Sequence, residues 1–161
     1  MRLAAGSLAL ALLASCVTAA QDSAPAALVA KLRSPYATYE DWEPILAAGK
    51  AAVPELEKLL ADAGDPAKAA AAVLLYRLGK PAALDALTGL LDSKDAAARS
   101  EAAAALGAFV GGPALPDAAA GQDAWAGRVS AWRSWWKANR DKALAAPPLG
   151  ALYATVLAAE E

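Results

Sequence analysis

Histidine is absent from all 161 residues, and cysteine, methionine and phenylalanine occur once each. Without histidine the chain has no Ser-His-Asp or Cys-His relay and no imidazole acid-base group. With Cys16 as its one thiol it has no intrachain disulfide and no thiolate cage for a metal. An excess of one charge is missing too: 15 basic and 17 acidic residues leave a net charge of −2, which supplies no general attraction to nucleic acid or an anionic membrane. No segment alternates apolar and polar residues over the length of a strand, which argues against a sheet. The longest apolar run, Leu3 to Leu13, is too short to span a bilayer as a helix.

What is present is hydrophobic and repetitive. Apolar residues make up 58% of the chain and charged ones 20%, enough for a core. Alanine supplies much of that fraction, and because it buries little area per residue the expected core is thin and helical. One junction occurs three times: Gly49-Lys50-Ala51-Ala52-Val53-Pro54, Gly79-Lys80-Pro81-Ala82-Ala83-Leu84 and Gly111-Gly112-Pro113-Ala114-Leu115-Pro116, at steps of 30 and 32 residues. Asp65 and Asp95 keep the same step, each following a Leu-Leu pair and opening an alanine-rich run. A fixed period near 30 marks stacked units that bury their apolar faces only against one another.

The pattern within the period is helical. Ala51 to Ala61 places Val53, Leu56, Leu59 and Leu60 on one face, and Asp65-Pro66 reads as an N-cap and first-turn proline for a helix running to Leu78. Pro81 opens a helix carrying Leu84, Leu87, Leu90 and Leu91, and Asp95 caps one over Ala96 to Val110. Upstream, Ala27 to Arg33 and Tyr39 to Ala48 form a worn first pair, with Tyr39, Trp42, Ile45 and Leu46 on one face. Downstream, Pro113 to Gly121 is too rich in proline and glycine for a full helix. Trp125 to Asn139 then forms a tryptophan-heavy helix, and Leu149 to Ala159 a last amphipathic one. The expected fold is all-α: a short α-solenoid of antiparallel helix pairs, closed by a Trp-rich C-terminal capping pair.

Residues 1–20 read as an export signal, with Arg2 before the apolar run and small residues after it. Two processing outcomes stand open. Thr18-Ala19-Ala20 suits ordinary cleavage before Gln21, whereas Leu13-Ala14-Ser15-Cys16 resembles a bacterial lipobox, in which Cys16 becomes the lipidated first residue. The domain expectation is therefore an export signal over 1–20, a linker over 21–26, a degenerate helical pair over 27–50, two repeats over 51–112 and the cap over 113–161.

The residues of 51–109 carry a resemblance. Ala52-Val53-Pro54-x-Leu56 with Leu59-Leu60 in one unit, and Ala83-Leu84-x-x-Leu87, Leu90-Leu91-Asp92 and Asp95-x-x-x-Arg99-x-x-Ala102-x-x-x-Leu106-Gly107 in the next, resemble short bacterial HEAT-like repeats of the phycobilisome-lyase type. The second unit matches more fully than the first, where Lys68 stands one position off the usual arginine. The resemblance implies a non-catalytic interaction or scaffolding surface. It also admits a lyase-like or enzyme-accessory role, or a purely structural envelope lipoprotein.

Chemical motifs are sparse. Ser134-x-x-Lys137 lacks the companion motifs of serine penicillin-binding enzymes, and Gly79-Lys80 lacks the rest of a phosphate loop. The acid pairs Asp62/Asp65 and Asp92/Asp95 suit N-capping better than calcium, and Arg99 stands one turn from Asp95 for an ion pair or a ladder to the next unit. No catalytic residue, metal or cofactor is expected. The partner-binding candidates are Trp125, Trp132, Arg133, Trp135, Trp136 and Arg140. Trp125, Trp132 and Trp136 share a helical face that either seals the array over Leu106, Phe109 and Val110 or forms an exposed aromatic, cationic platform. Gly49, Gly79, Gly111, Asp65, Asp95 and Arg99 are expected to hold the repeat together. The partner expected is an unidentified envelope protein, met by a monomer that is periplasmic or lipid-anchored and binds no nucleic acid.

Overall fold

The computed structural model describes residues 25–115 and 122–146. They form seven α-helices: α1 (25–30), α2 (Trp42–Ala48), α3 (Val53–Asp62), α4 (Asp65–Arg77), α5 (Ala83–Leu90), α6 (Ala96–Val110) and α7 (Gln122–Ala145), with single 3-10 turns at Lys31–Arg33, Tyr39–Asp41 and Gly49–Ala52. No strand occurs among the described residues, as expected for an all-α solenoid. The export signal, Cys16 and the segment Leu149–Ala159 lie outside the described residues. Pro25 and Ala26, expected in the linker, already belong to α1.

The units are helix pairs, α3 with α4 and α5 with α6. Alanine sets their spacing. Ala67, Ala69, Ala71 and Ala72 of α4 and Ala98, Ala102 and Ala105 of α6 are buried, and small side chains let the two backbones run close together. α4 packs against α3, α5 and α6 and also meets α2, while α3 and α5 stand further apart, so α4 and α6 lie on the inner side of the array. A helix with neighbours on nearly every side is apolar nearly all round, and α4 buries eight of its thirteen residues. Between the leucine-lined helices sit the largest fully buried side chains, among them Ile45, Leu56, Leu59, Leu74, Leu84, Leu87, Leu91 and Leu106. Tyr76 stacks on Phe109 at 4.3 Å across the two units, and burial raises the pKa of its phenol.

The three repeated junctions have one physical cause. Gly49, Gly79 and Gly111 all take positive φ, at 59°, 84° and 62°, where a Cβ is strained. At each of them the chain leaves one helix and turns toward the next.

Local starts were partly displaced. Asp95 caps α6 as expected, its Oδ1 accepting from the Ala98 amide at 2.9 Å. Asp65 does not cap α4: Gly64 takes the N-cap, Asp65 is the first helical residue, and Pro66 follows within the first turn. The carboxylate is drawn away to a tertiary partner, Ser93, while its charge still complements the helix N-terminus. Pro81 lies in the turn before α5, which begins at Ala83, and Val53 follows a 3-10 turn that takes up Ala51 and Ala52. α7 runs well beyond the expected Trp125–Asn139 at both ends.

Candidate functional site

α7 brings the tryptophans inward. Trp132 is fully buried and Trp125 and Trp136 nearly so, while Trp135 is half-buried and tilted against Trp132 at 5.1 Å. The exposed aromatic platform is therefore not what the fold builds. The indoles seal the end of the array, but mainly over α5. Trp125 Nε1 donates to the Leu91 carbonyl at 3.0 Å and Trp136 Nε1 to Asp85 Oδ1 at 3.2 Å. Trp132 lies against the backbone at Gly112, where an added Cβ would overlap its ring atoms Cζ3 and Cη2. Trp132 Nε1 is buried without a hydrogen-bond partner among the described residues.

Two cations of α7, Arg133 and Arg140, pair with acids on α5 and just after it. Arg140 forks onto Asp85, Nε to Oδ1 at 2.8 Å and Nη2 to Oδ2 at 2.6 Å. The Arg140 guanidinium, helped by the Trp136 indole, holds the Asp85 carboxyl below the ordinary carboxylate range against the opposing effect of burial. Arg133 pairs with Asp92. Ser134 donates back to the Ser130 carbonyl of its own helix, a bond within α7 that prepares no nucleophile.

The inter-helix turns are joined through Ser93. Its hydroxyl donates to Asp65 Oδ2 at 2.5 Å and accepts from the Asp95 amide at 3.0 Å, linking the turn before α4 to the turn before α6. Arg99, expected to pair with Asp95 or to ladder to a neighbouring unit, donates to the Ser93 carbonyl at 2.7 Å and lies 5.7 Å from the Trp125 ring centroid. Asp62 accepts from Arg33 at 2.6 Å. The acid pairs are thus held by serine and arginine, and no three His, Cys, Asp or Glu side chains gather in metal-binding geometry among the described residues.

A different surface emerges where the first pair meets the inner helices. Tyr36 is 87% exposed and Tyr39 67% exposed, although the helical pattern of Tyr39, Trp42, Ile45 and Leu46 predicts that Tyr39 points inward. The reason is local: Tyr39–Asp41 is a 3-10 turn, fixed by a capping box in which Thr38 and Asp41 satisfy each other's backbone amides. Tyr39 therefore packs edge-on against Trp42 at 4.7 Å and stays outside, and its hydroxyl donates to Glu101 Oε2 of α6 at 2.7 Å. That hydrogen bond is the main cause of the raised pKa of the Tyr39 phenol.

The segment around Tyr39 thus lies across the inner side of α4 and reaches α6. Between them is a groove of about 290 Å³, walled by Pro35, Thr38, Tyr39 and Trp42 on one side and by Pro66, Ala70, Ala97 and Glu101 on the other. Arg77 stacks over Trp42 at 5.8 Å and is not part of the wall. Sequence reasoning missed this groove. The available signal was Pro35-Tyr36, an aromatic placed in a connection where no helical neighbour could bury it.

Comparison with known proteins supplies one positive finding. No curated protein and no solved structure matches the chain. A family model described as HEAT repeats matches residues 46–130, which is just over half of the sequence and includes α3 to α6. With its glycine-turned helix pairs stacked around a thin alanine-leucine core, the chain belongs to the HEAT-repeat family.

Proposed function

We propose that this protein is a non-catalytic protein-binding module of the bacterial cell envelope, exported by a signal that ends at Ser15 and tethered by a lipid on Cys16. HEAT repeats in general mediate protein–protein interaction, and their repetition offers an extended rigid surface in place of a reaction centre. The observation that carries the reading here is the inner groove with the solvent-exposed Tyr39 in its wall, running from the first pair to α6. Exposed aromatic rings on a connection held by a rigid scaffold are costly in water and rewarding at an interface. The binding surface is assigned to this inner face, and α7 to closing the core.

Two measurements test the reading. Cross-linking of the tagged, full-length protein in a bacterial envelope, followed by mass spectrometry, is expected to return a defined partner absent from a helical control. Recovery of no protein above that control refutes the binding function. Palmitate labelling of wild type and Cys16→Ser tests the anchor: label on wild type alone supports it, and an unlabelled wild type assigns cleavage before Gln21.

A further inference from the structure

We propose that the groove between the 34–42 segment and the first turns of α4 and α6 binds an extended peptide segment through one arginine, with its guanidinium against the Tyr39 ring and paired with Glu101. The proposal rests on the reading of the chain as a protein-binding module and names the chemistry of what it binds.

Three observations converge on a cation. The wall is aromatic and apolar, and Glu101 is its only charged side chain, so a partner seated there meets a single negative charge in a partly desolvated setting. Glu101 has no cationic partner among the described residues, in contrast to Asp41, Asp62, Asp85 and Asp92, each of which is ion-paired. The hydrogen bond from Tyr39 uses one oxygen of the carboxylate and leaves acceptor capacity on the group while fixing its direction.

Aromatic faces next to a carboxylate favour guanidinium over ammonium, because the planar group stacks on a ring and hydrogen-bonds a carboxylate at once. The molecule contains its own version of the first half of this contact, in Arg77 over Trp42. An extended backbone suits the remaining wall, where Pro35, Pro66 and Ala97 give a shallow apolar floor with no strand edge to pair with.

The test is selection of displayed random short peptides on the full chain, with the same selection on Glu101→Gln and Glu101→Lys. Wild type is expected to enrich peptides with a fixed arginine. The best of these should bind about tenfold more weakly when that arginine is replaced by glutamine, and about tenfold more weakly to either variant. Both substitutions are at a partly exposed position, so thermal melts of the variants should match wild type. Enrichment of proline-rich peptides without a cation, enrichment of acidic peptides, or no enrichment overturns the proposal. So does arginine binding that survives both substitutions. If Glu101→Gln and Glu101→Lys proteins still cross-link the envelope partner of wild type while peptides show no arginine preference, the groove assignment falls and the broader binding function stands.

Discussion

Gly112 and Trp132 offer a direct test of how the C-terminal cap is fitted. Gly112 is in ordinary backbone conformation, so alanine there costs nothing in φ; the obstacle is the six-membered ring of Trp132, which occupies the position its Cβ would take. Trp132 is fully buried and cannot swing into solvent, so the overlap must be relieved by moving a side chain or α7 itself. Overpacking of this kind costs about 1–3 kcal/mol. For a protein of this size that is a fall in Tm of about 2–12 °C. Trp132→Phe removes the two ring atoms in question. It gives up some packing, about 1–2 kcal/mol, but also removes a buried indole N–H that lacks a partner among the described residues, and the two effects oppose each other. The informative quantity is the coupling. Gly112→Ala should cost clearly less in Trp132→Phe, where the Trp135 ring atom Cε3 at 3.0 Å is the obstacle that remains, than in the wild-type background, measured by urea unfolding of all four proteins followed by far-ultraviolet circular dichroism. Equal costs in both backgrounds would refute the fit described for α7.

Further outcomes follow from other contacts. Gly49 has φ 59° with ψ −132°, a region only glycine occupies freely, whereas Gly111 is in the ordinary left-handed region. Gly49→Asn should therefore cost about 1–3 kcal/mol in urea unfolding and Gly111→Asn only a few tenths. Ser93→Ala strands the Asp95 amide and frees the Asp65 carboxylate, and should cost about 1–2 kcal/mol in the same assay. Asp85, with a folded-state pKa below its unfolded one, contributes stability that is fully present above the unfolded value and lost as pH falls through the folded one. The Tm difference between wild type and Asp85→Asn should accordingly be constant near neutrality and shrink below about pH 4.

The repeat was legible because its punctuation is local chemistry. A backbone that must take positive φ at each turn selects glycine wherever the turn recurs, and Gly49, Gly79 and Gly111 recorded the period directly. The inward face of α7 was legible too, from the spacing of Trp125, Trp132 and Trp136. Which neighbour that face meets was not. Spacing shows which side chains turn inward together, but the partners, Asp85 of α5 and Leu91 and Asp92 just after it, were set by how the units stack. Asp65 shows the same limit at shorter range: its sequence context fits a cap, and Ser93, 28 residues away, takes its carboxylate instead. Tyr39 was misplaced because a helical wheel assumes an α-helix, and a 3-10 turn rotates successive side chains by a different angle.

The hydrogen bond from Tyr39 to Glu101 has a consequence for how the molecule comes apart. In an array whose units touch only their immediate neighbours, an end unit can fray while the rest stays folded. Tyr39 belongs to the first pair and Glu101 to the second full unit, so this contact passes over an entire unit. Together with Pro35 and Trp42 facing Ala97 and Ala98, it makes the N-terminal end open against two units instead of one. Amide exchange in α2 should then follow that of α6 and not run ahead of it as a loose terminus would.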